Sequence, residues 1–469
     1  MTASRTVELE GHIIDSGMMQ QAFGIVMDMG GNFDVEEFEV GTHKEAESYC
    51  RMAVFADSDS ELQEILHELH QIGANLTDPV DAHLEPAPAD RVVPTGFYST
   101  TNHPTQVRYD GEWVDVENIE MDCAIVVEPG STGSQTAAQS DDVVEDGDRE
   151  AHRASDESSG DESPRDDPRA YTKVLNAIRE GDLVVTDEAG IRVDPPERPR
   201  DSSGPFGFMQ GGVSSERPSE SLIRQVAEAM HTTKQEGGKI LVVAGPALIH
   251  AGAGDELARL VREGYIDMLS AGNGFAVHDI ERGLYGTSLG MDMETLEHPR
   301  KGHKHHIYTI SEVIRAGGIA DAVNDGLIRE GVMYECVEND VPYVLAGSIR
   351  DDGPLPDTIT DSVEAQNAIR EQAHEADMVL MLSTLLHSVA VGNCLSSTTR
   401  VVCVDINPAT VTQLLDRGSS QAIGMVTDIG TFVPTLAAEV LGEGTDGDDD
   451  TDAVNAVAEA ATEADTDDD

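Results

Sequence analysis

The sequence predicts a two-part α/β protein in which a doubly wound, mostly parallel sheet follows a smaller N-terminal α+β domain. From residue 237 onward, short apolar runs alternate with helical segments, which is the pattern of parallel strands joined by crossover helices. Before residue 130, strand-like segments are mixed with short amphipathic helices. The chain of 469 residues is long enough for two to three domains, at roughly 100–200 residues each.

The N-terminal domain is predicted over residues 1–130. Its clearest element is an amphipathic helix over 59–72, in which Leu62, Ile65 and Leu69 share one face. The other predicted elements are a helix over 18–29 and strands near 7–14, 33–40, 45–56 and 114–127.

Two acidic segments, an insertion over 131–170 and a tail over 443–469, are predicted to be disordered. They are rich in polar and charged residues and have too few apolar residues to form a core. Residues 171–236 separate the insertion from the second domain. The elements predicted there are a helix over 170–180, a hairpin over 182–193, a Pro-rich connector over 195–205 and a linking helix over 219–235.

The C-terminal domain is predicted over residues 237–442, with Asp255 as the N-cap of a helix over 255–263. Its strands are short, continuous apolar runs, as expected for a sheet that is buried on both faces. The predicted strands cover 240–244, 266–270, 343–346, 378–382, 400–404 and 422–426, and later helices cover 361–373, 408–416 and 430–441.

The chain is very acidic, with 89 Asp and Glu against 30 Lys and Arg and a net charge of −59. Without residues 141–168 and 443–469, the other 414 residues still carry −38, and the whole chain has six lysines. This composition is typical of adaptation to high salt, since at about 1 M the Debye length falls to roughly 3 Å. An acidic protein from an ordinary cytosol is the alternative. Phosphate would be repelled, so neither nucleic acid nor an anionic membrane is an expected partner.

Several features that the sequence lacks indicate where the protein is located. No apolar run approaches the roughly 20 residues of a membrane span, and the N-terminus has no secretory signal. The five cysteines are widely spaced and include no CxxC pair, which argues against a disulfide framework or a zinc site. A cytoplasmic location is therefore expected.

Polar residues and glycines follow the predicted strands of the second domain. Asn273 and Gly274 follow one strand, the segment 383–388 with its hydroxyls and His387 follows another, and Asp405 and Asp428 follow two more. In an open α/β sheet, ligands bind beyond the carboxyl ends of the strands, where backbone N–H groups hold a pyrophosphate and an acid holds a ribose diol. Each residue alone also fits a helix cap. Together they favour a nucleotide, although a G-x-G-x-x-G motif is absent.

A second cluster, KGHKHHI over residues 301–307, places two of the six lysines beside three histidines. A cation can hold a carboxylate, and imidazoles can move protons near neutral pH. Active-site proton chemistry is the favoured interpretation, a structural role is the second and a metal site the third. His305 and His306 are adjacent and would point apart on a strand, which disfavours shared metal ligation.

A third segment, AGSIRDDGPLPD over residues 346–357, follows a buried strand and combines rigid turns with Arg350, Asp351 and Asp352. Such a loop can present a carboxylate to an amine or as a general base. A solvent-exposed turn is the alternative.

Several long motifs resemble the archaeal-type ornithine cyclodeaminase family. They are VELEGHIIDSGMMQQAF, VSSERPSE, KILVVAGPALIHAG, LSAGNGFAVHDIERGLYGTSLG, GHKHHIYTISEVIRAGGI, PYVLAGSIRDDGPLPD, LSTLLHSVAVGN and VVCVDINP. The N-terminal part resembles the conserved region of lysine-oxoglutarate reductase/saccharopine dehydrogenase, and the C-terminal part a Rossmann-like NAD-binding domain related to deoxyhypusine synthase. The acidic insertion and the FGFMQGG segment depart from the family pattern.

The resemblance implies conversion of L-ornithine to L-proline and ammonia, with hydride taken from Cα by NAD⁺ and returned to a cyclic imine. It also implies Lys304 and His305 as substrate-binding and proton-transfer residues, Asp351 as a further candidate, and a homo-oligomer, either a tetramer or a dimer. No metal site is predicted. The implied NAD contacts are Asn273, Gly274, Asp352, Thr384, Leu385, Leu386, His387, Asp405, Asp428 and Ile429.

Three alternatives stay open. Deoxyhypusine synthase is the least favoured, because no lysine follows Lys304 to carry the transferred group as an imine. A lysine- or saccharopine-type NAD dehydrogenase is the main enzymatic alternative. A non-catalytic NAD-binding sensor of an amino acid is the third, and lysines and histidines retained in a lysine-poor chain argue against it.

Overall fold

The computed structural model of the chain describes residues 3–14, 17–41, 46–77, 80–130, 167–194, 219–293, 304–351, 353–415 and 422–443. It divides into two compact units, unit 1 (Met1–Glu197) and unit 2 (Arg198–Asp469). Most of the predicted acidic insertion, the Pro-rich connector and the acidic tail lie outside the described residues.

Unit 1 begins with a four-stranded antiparallel sheet in the order β2-β3-β1-β4, packed against two helices. Ser58 caps the second helix by accepting a hydrogen bond from the Glu61 N–H, and Leu62, Ile65 and Leu69 are buried as their spacing predicts. The elements are β1 (Ala3–Gly11), α1 (Met18–Asp28), β2 (Asn32–Glu39), β3 (Ser48–Ala56), α2 (Asp59–Gln71) and β4 (Asn75–Leu76).

The rest of unit 1 is a seven-stranded sheet in the order β11-β6-β7-β9-β8-β10-β5. Its core includes Val107, Ile125 and Val185. A 3₁₀ turn at Leu175–Ala177 follows the strand Arg169–Lys173. The strands are β5 (His83–Pro86), β6 (Thr105–Tyr109), β7 (Glu112–Glu117), β8 (Ala124–Glu128), β9 (Arg169–Lys173), β10 (Leu183–Thr186) and β11 (Ile191–Val193).

Two predictions for this segment were wrong. Residues 170–180 are not a helix, because β9 pairs with β7 and β8, and such long-range pairing overrides local helix propensity. Residues 182–193 do not form a hairpin either. β10 pairs with β5 and β8, whereas β11 pairs with β6.

Unit 2 contains a seven-stranded sheet in the order β17-β16-β13-β12-β18-β19-β20, and every neighbouring pair of its strands is parallel. The doubly wound fold class is therefore confirmed. Its elements are α3 (Ser219–Gln235), β12 (Ile240–Ala244), α4 (Ala247–His250), α5 (Gly254–Arg262), β13 (Met268–Gly272), α6 (Asn273–Tyr285), β14 (Thr287–Ser288), β15 (Met291–Asp292), α7 (His305–Ala316), α8 (Ile319–Asn324), α9 (Val332–Glu338), β16 (Tyr343–Ala346), β17 (Thr358–Ile359), α10 (Ser362–Glu375), β18 (Met378–Leu382), α11 (Leu386–Gly392), β19 (Arg400–Asp405), α12 (Pro408–Leu415), β20 (Ala422–Val426) and α13 (Ile429–Val440).

The central strand β12 shows why these strands read as continuous apolar runs. All five of its residues are buried. Val242 packs into one core with residues of α3, α5, α6, α9 and α13, and Val243 packs into another with residues of α10, α11 and α12. Helices therefore cover both faces of the sheet, which explains why its strands are mostly apolar.

The strand order reverses direction beside β12. The chain adds β13, β16 and β17 on one side of β12 and then crosses to β18 on the other side. The helices that follow β12 and β18 therefore diverge, and a crevice opens at the carboxyl ends of these two strands. At this point Gly245 lies so close to Ser383 that an added Cβ would be 2.1 Å from the Ser383 carbonyl oxygen.

The helix predicted over 255–263 has Ala253 rather than Asp255 as its N-cap, and Asp255 lies in the first turn, where it pairs with Arg282. An acid in the first turn still complements the helix dipole, which is why the pattern resembled a cap. In the described part of the chain, no helix combines the length and the apolar character needed to cross a membrane.

We expect Gly245→Ala to lower the free energy of unfolding by about 1–3 kcal/mol, because the new methyl group must displace backbone. The matched control is Gly274→Ala, where a Cβ would meet no atom within 4 Å. This control should change stability by less than about 0.5 kcal/mol. Guanidinium unfolding of both variants tests the close approach, and equal stability of the two would contradict it.

Candidate functional site

The carboxyl ends of the parallel strands gather the predicted nucleotide residues at one edge of the unit 2 sheet. Gly274 lies in the first turn of α6, Asp405 is the last residue of β19 and Asp428 is the N-cap of α13. Thr384, Leu385, Leu386 and His387 follow β18. Asp352 lies outside the described residues. The sheet therefore brings together the strand-end residues that the sequence predicts.

The segment after β18 begins with a sharp turn. Ser383 has a left-handed φ of 51°, and the next residues turn directly into α11. Leu386 is 83% exposed and Leu385 is 39% exposed. Two leucines at the edge of a buried sheet thus leave apolar surface accessible instead of packing in the core.

His387 reaches across β12 to the strand beyond it. Its Nε2 lies 2.8 Å from the hydroxyl of Ser270, a fully buried residue of β13. Burial lowers the pKa of His387 to about 4, so the ring is neutral at neutral pH. His387 therefore acts at this edge as a neutral hydrogen-bonding group and not as a cation.

The side-chain oxygen of Asn273 is already used in hydrogen bonds within the protein. Its Oδ1 accepts hydrogen bonds at 2.9 Å from the Leu355 N–H and from the Thr358 hydroxyl. The side chain is buried and ties the start of α6 to the segment that leads into β17. This oxygen is part of the scaffold, and any contact of Asn273 with a ligand uses its other atoms.

The acids at the ends of β19 and β20 are less fully engaged. One oxygen of Asp405 accepts a hydrogen bond from the Asn407 N–H at 2.8 Å, and the other has no hydrogen-bond partner among the described residues. Asp428 is exposed and its side chain makes no capping bond. Ile429 is buried in the core, so only its backbone can meet a ligand. Asp405 thus combines a turn-closing role with an available acceptor oxygen.

The described part of the KGHKHHI cluster begins a helix. The prediction that His305 and His306 would point apart on a strand, which disfavoured a metal site, is therefore wrong about the strand. Lys304 is the exposed N-cap of α7 and His305 its first residue. The His305 ring stacks on Tyr285, with ring centroids 4.8 Å apart, and its Nδ1 lies 2.8 Å from the Thr287 hydroxyl. Lys301 lies outside the described residues. In the part of the chain that is described, no three His, Cys, Asp or Glu side chains are grouped as metal ligands.

A buried carboxylate organises this cluster, and the sequence analysis missed it. Glu281 of α6 has a fully buried side chain. It is bonded by the Thr287 hydroxyl at 2.9 Å, the His278 ring at 3.1 Å and the N–H groups of Leu289 and Gly290 at 3.1 and 2.8 Å. Burial alone would raise its pKa, but these hydrogen bonds together lower it. Glu281 is therefore an ionised carboxylate inside the protein.

His250 connects this cluster to the edge of the sheet, because it is the last residue of α4, the short helix that follows β12. The His250 ring lies 4.9 Å from that of His278, and its Nδ1 is 2.7 Å from the Ser288 hydroxyl. Burial, with the neighbouring His278, lowers the pKa of His250. The sequence signal was the spacing of His278 and Glu281, three residues apart and so on one helix face.

The loop after β16 approaches α7. A Cβ at Gly353 would lie 4.0 Å from Ile310 of α7, so the loop runs beside the helix that His305 begins. Asp351 accepts a hydrogen bond from the Ser348 N–H at 2.7 Å and closes a local turn. The predicted amine-binding acid is thus structured by its own loop.

Strand ends and the His305 cluster are joined by α6 but do not coincide. Gly274 lies at the start of this helix and Tyr285 at its end, about 17 Å further at 1.5 Å per residue. Helix α6 thus begins with the predicted cofactor residues Asn273 and Gly274 and ends with Tyr285, which stacks on His305.

Comparison with known protein families divides the chain into three matching regions. Residues 4–103 match the LOR/SDH bifunctional enzyme conserved region. Residues 104–149 and 163–223 match the first region of the C-terminal part of ArgZ-like arginine dihydrolase, and residues 224–436 match its Rossmann fold.

Curated relatives match over nearly the whole length. Ornithine cyclodeaminase of Methanopyrus kandleri is 49% identical over 92% of this chain and 96% of the relative. The chain belongs to the ornithine cyclodeaminase family. The bifunctional arginine dihydrolase/ornithine cyclodeaminase AgrE of Nostoc is 42% identical over 93% of this family member, which spans 58% of AgrE.

Solved structures agree with this membership. A ligand-free crystal structure of ArgZ, an arginine dihydrolase from cyanobacteria, is 38% identical over 94% of this chain and 59% of its own, with a TM-score of 0.75. A conserved LOR/SDH protein from Methanococcus maripaludis is 46% identical over 79% of this chain and 99% of its own, with a TM-score of 0.66. AgrE has also been solved as a ternary complex with ornithine and NAD⁺, at 40% identity over 95% of this chain and 58% of its own and a TM-score of 0.48.

The double role of Asn273 leads to a stability prediction. Asn273→Ala should cost about 1–3 kcal/mol of unfolding free energy, because it leaves the buried Leu355 N–H without an acceptor. Asn273→Asp keeps an acceptor oxygen at a helix N-terminus that favours negative charge, and should cost less. Chemical denaturation of the two variants tests this order, and a smaller loss in the alanine variant would refute it.

Proposed function

We propose that this family member converts L-ornithine to L-proline and ammonia, using an NAD molecule that is not consumed. The observation that carries the proposal is the hydrogen-bond network that links His250, just after β12, through the turn at Thr287 and Ser288 and the carboxylate of Glu281 to His305 at the start of α7. AgrE, 42% identical in sequence, binds ornithine and NAD⁺.

The strand ends fit a dinucleotide. Gly274 has open space around the position where a Cβ would stand, so a ligand backbone can approach the first turn of α6. Asp405 keeps one oxygen without a described partner, which suits a ribose diol. Neutral His387 adds no charge, and exposed Leu386 offers an apolar surface for a ring. When bound, NAD supplies a hydride acceptor for ornithine Cα and later the donor that returns that hydride.

The residues at the start of α7 supply the remaining chemistry. Lys304 is exposed and carries the positive charge that a substrate carboxylate requires. His305 has a ring nitrogen, Nε2, that makes no hydrogen bond to any described residue, and it can take the proton of the substrate ammonium group. Asp351 holds one oxygen in its turn and can accept an amine hydrogen bond with the other. Loss of ammonia and ring closure by the δ-amine then need proton transfers that His305 can perform.

The first experiment is formation of proline and ammonia from L-ornithine, with and without added NAD⁺. It is best run in about 1 M KCl, where the net negative charge is screened over roughly 3 Å. We expect equal amounts of proline and ammonia and no accumulation of NADH. Net NADH would instead indicate an amino-acid dehydrogenase, and NAD⁺ binding without turnover would indicate a sensor.

The cofactor assignment is tested at Asp405. Asp405→Ala should weaken NAD⁺ binding by about 1–3 kcal/mol, because the ribose hydroxyls lose their acceptor. Asp405→Asn is the matched control, since its amide oxygen still accepts the Asn407 N–H and preserves the turn. Titration calorimetry of NAD⁺ binding to both variants separates the turn-closing role of Asp405 from its proposed ribose-binding role. Wild-type affinity in the alanine variant would remove Asp405 from the cofactor site.

A further inference from the structure

The buried carboxylate of Glu281 is surrounded by hydrogen-bonding groups. Two of them, the N–H groups of Leu289 and Gly290, are backbone groups that can only donate. They bond to different oxygens of the carboxylate, and the ring of His278 adds a third donor. A carboxylate that accepts from this many donors is ionised and has no proton to give.

The ionised state of Glu281 decides the direction of the next hydrogen bond. Thr287 Oγ1 lies 2.9 Å from Glu281 Oε1, and because the carboxylate can only accept, the threonine hydroxyl must donate to it. A hydroxyl has a single proton. In its contact with His305, at 2.8 Å, Thr287 can therefore only accept.

The proton between Thr287 and His305 must then be on the imidazole. We propose that Glu281, acting through Thr287, is a positioning residue that holds the proton of neutral His305 on Nδ1 and keeps Nε2 as the proton acceptor for the substrate ammonium group. The proposal rests on the catalytic role proposed above for His305, but its statement about the tautomer stands on the geometry alone.

A purely structural role explains less of the arrangement. Stacking on Tyr285 already orients the plane of the His305 ring, but stacking does not choose between the two ring nitrogens. The neighbouring hydroxyl, that of Ser288, is also buried but bonds to His250 instead. The same short turn thus carries one hydroxyl for His250 and one for His305, and among the described residues only Thr287 connects a carboxylate to His305.

The test compares Thr287→Val, which keeps the shape and removes the hydroxyl, with Thr287→Ser, which keeps the hydroxyl. Ser288→Ala is the matched control for the loss of a buried hydroxyl from the same turn. We expect Thr287→Val to lower kcat for ornithine by about threefold or more, since much of the His305 population would then hold the wrong tautomer. KM for ornithine should change by less than about twofold. Thr287→Ser should restore kcat, and Ser288→Ala should leave it near wild type.

The second readout does not depend on turnover. In the ¹⁵N-histidine-labelled full chain, with the His305 signal assigned by its loss in His305→Ala, we expect wild-type His305 to be protonated on Nδ1 and unprotonated on Nε2. Thr287→Val should give a mixture of tautomers. If Thr287→Val does not fold, Thr287→Ala serves instead, because it also removes the hydroxyl that accepts from His305 Nδ1.

The outcomes separate this inference from the proposed function. Protonation of wild-type His305 on Nε2 would overturn the inference. So would a tautomer that is unchanged in Thr287→Val, or in Thr287→Ala where the valine variant does not fold. If the tautomer shifts as expected while kcat stays at the wild-type value, the tautomer assignment holds. In that case the catalytic role of His305, and with it the positioning role of Glu281, is wrong.

Discussion

The parallel pairing of β12 with both β13 and β18 is the constraint on which the rest of unit 2 depends. Because all seven strands run in one direction, every strand end of the same polarity lies at one edge, and residues from 245 to 428 meet there. The reversal of strand order beside β12 separates the helices that follow, so this edge has a crevice and not a closed core. The tight contact of Gly245 with Ser383 keeps the two central strand ends together.

Two buried acids on α6 show how the surroundings of a carboxylate decide its charge. Asp279 and Glu281 are two residues apart in sequence, and both are buried. Burial raises the pKa of Asp279 to about 6, and the N–H groups of Met333 and Val332 offset this only in part. For Glu281, hydrogen bonds from His278, Gly290 and Thr287 outweigh burial and lower the pKa. Asp279 therefore serves the start of α9, whereas Glu281 serves as a fixed charge beside the histidines.

Several residues with the appearance of ligand-binding groups also hold the scaffold. Asn273, Asp351 and Asp405 each use one oxygen to accept a hydrogen bond from a nearby backbone N–H, and His387 bonds to a buried serine. Such bonds restrict the side chain to one orientation, and a site needs that restriction to bind a ligand without reordering its groups. A structural role for these residues is therefore compatible with the ligand-binding role proposed for them.

The sequence by itself predicted a parallel sheet in unit 2, since short apolar runs that alternate with helices are typical of strands buried on both faces. It also determined which residues stand at the strand ends. Only the tertiary structure decided that β9 is a strand, because its partners β7 and β8 both precede the acidic insertion, and local propensity does not report such distant partners. Only the tertiary structure showed Glu281 as the centre of the His305 cluster. Its four donors come from a helix and from the turn after it, and a hydrogen-bond network depends on distances that a one-dimensional pattern does not contain.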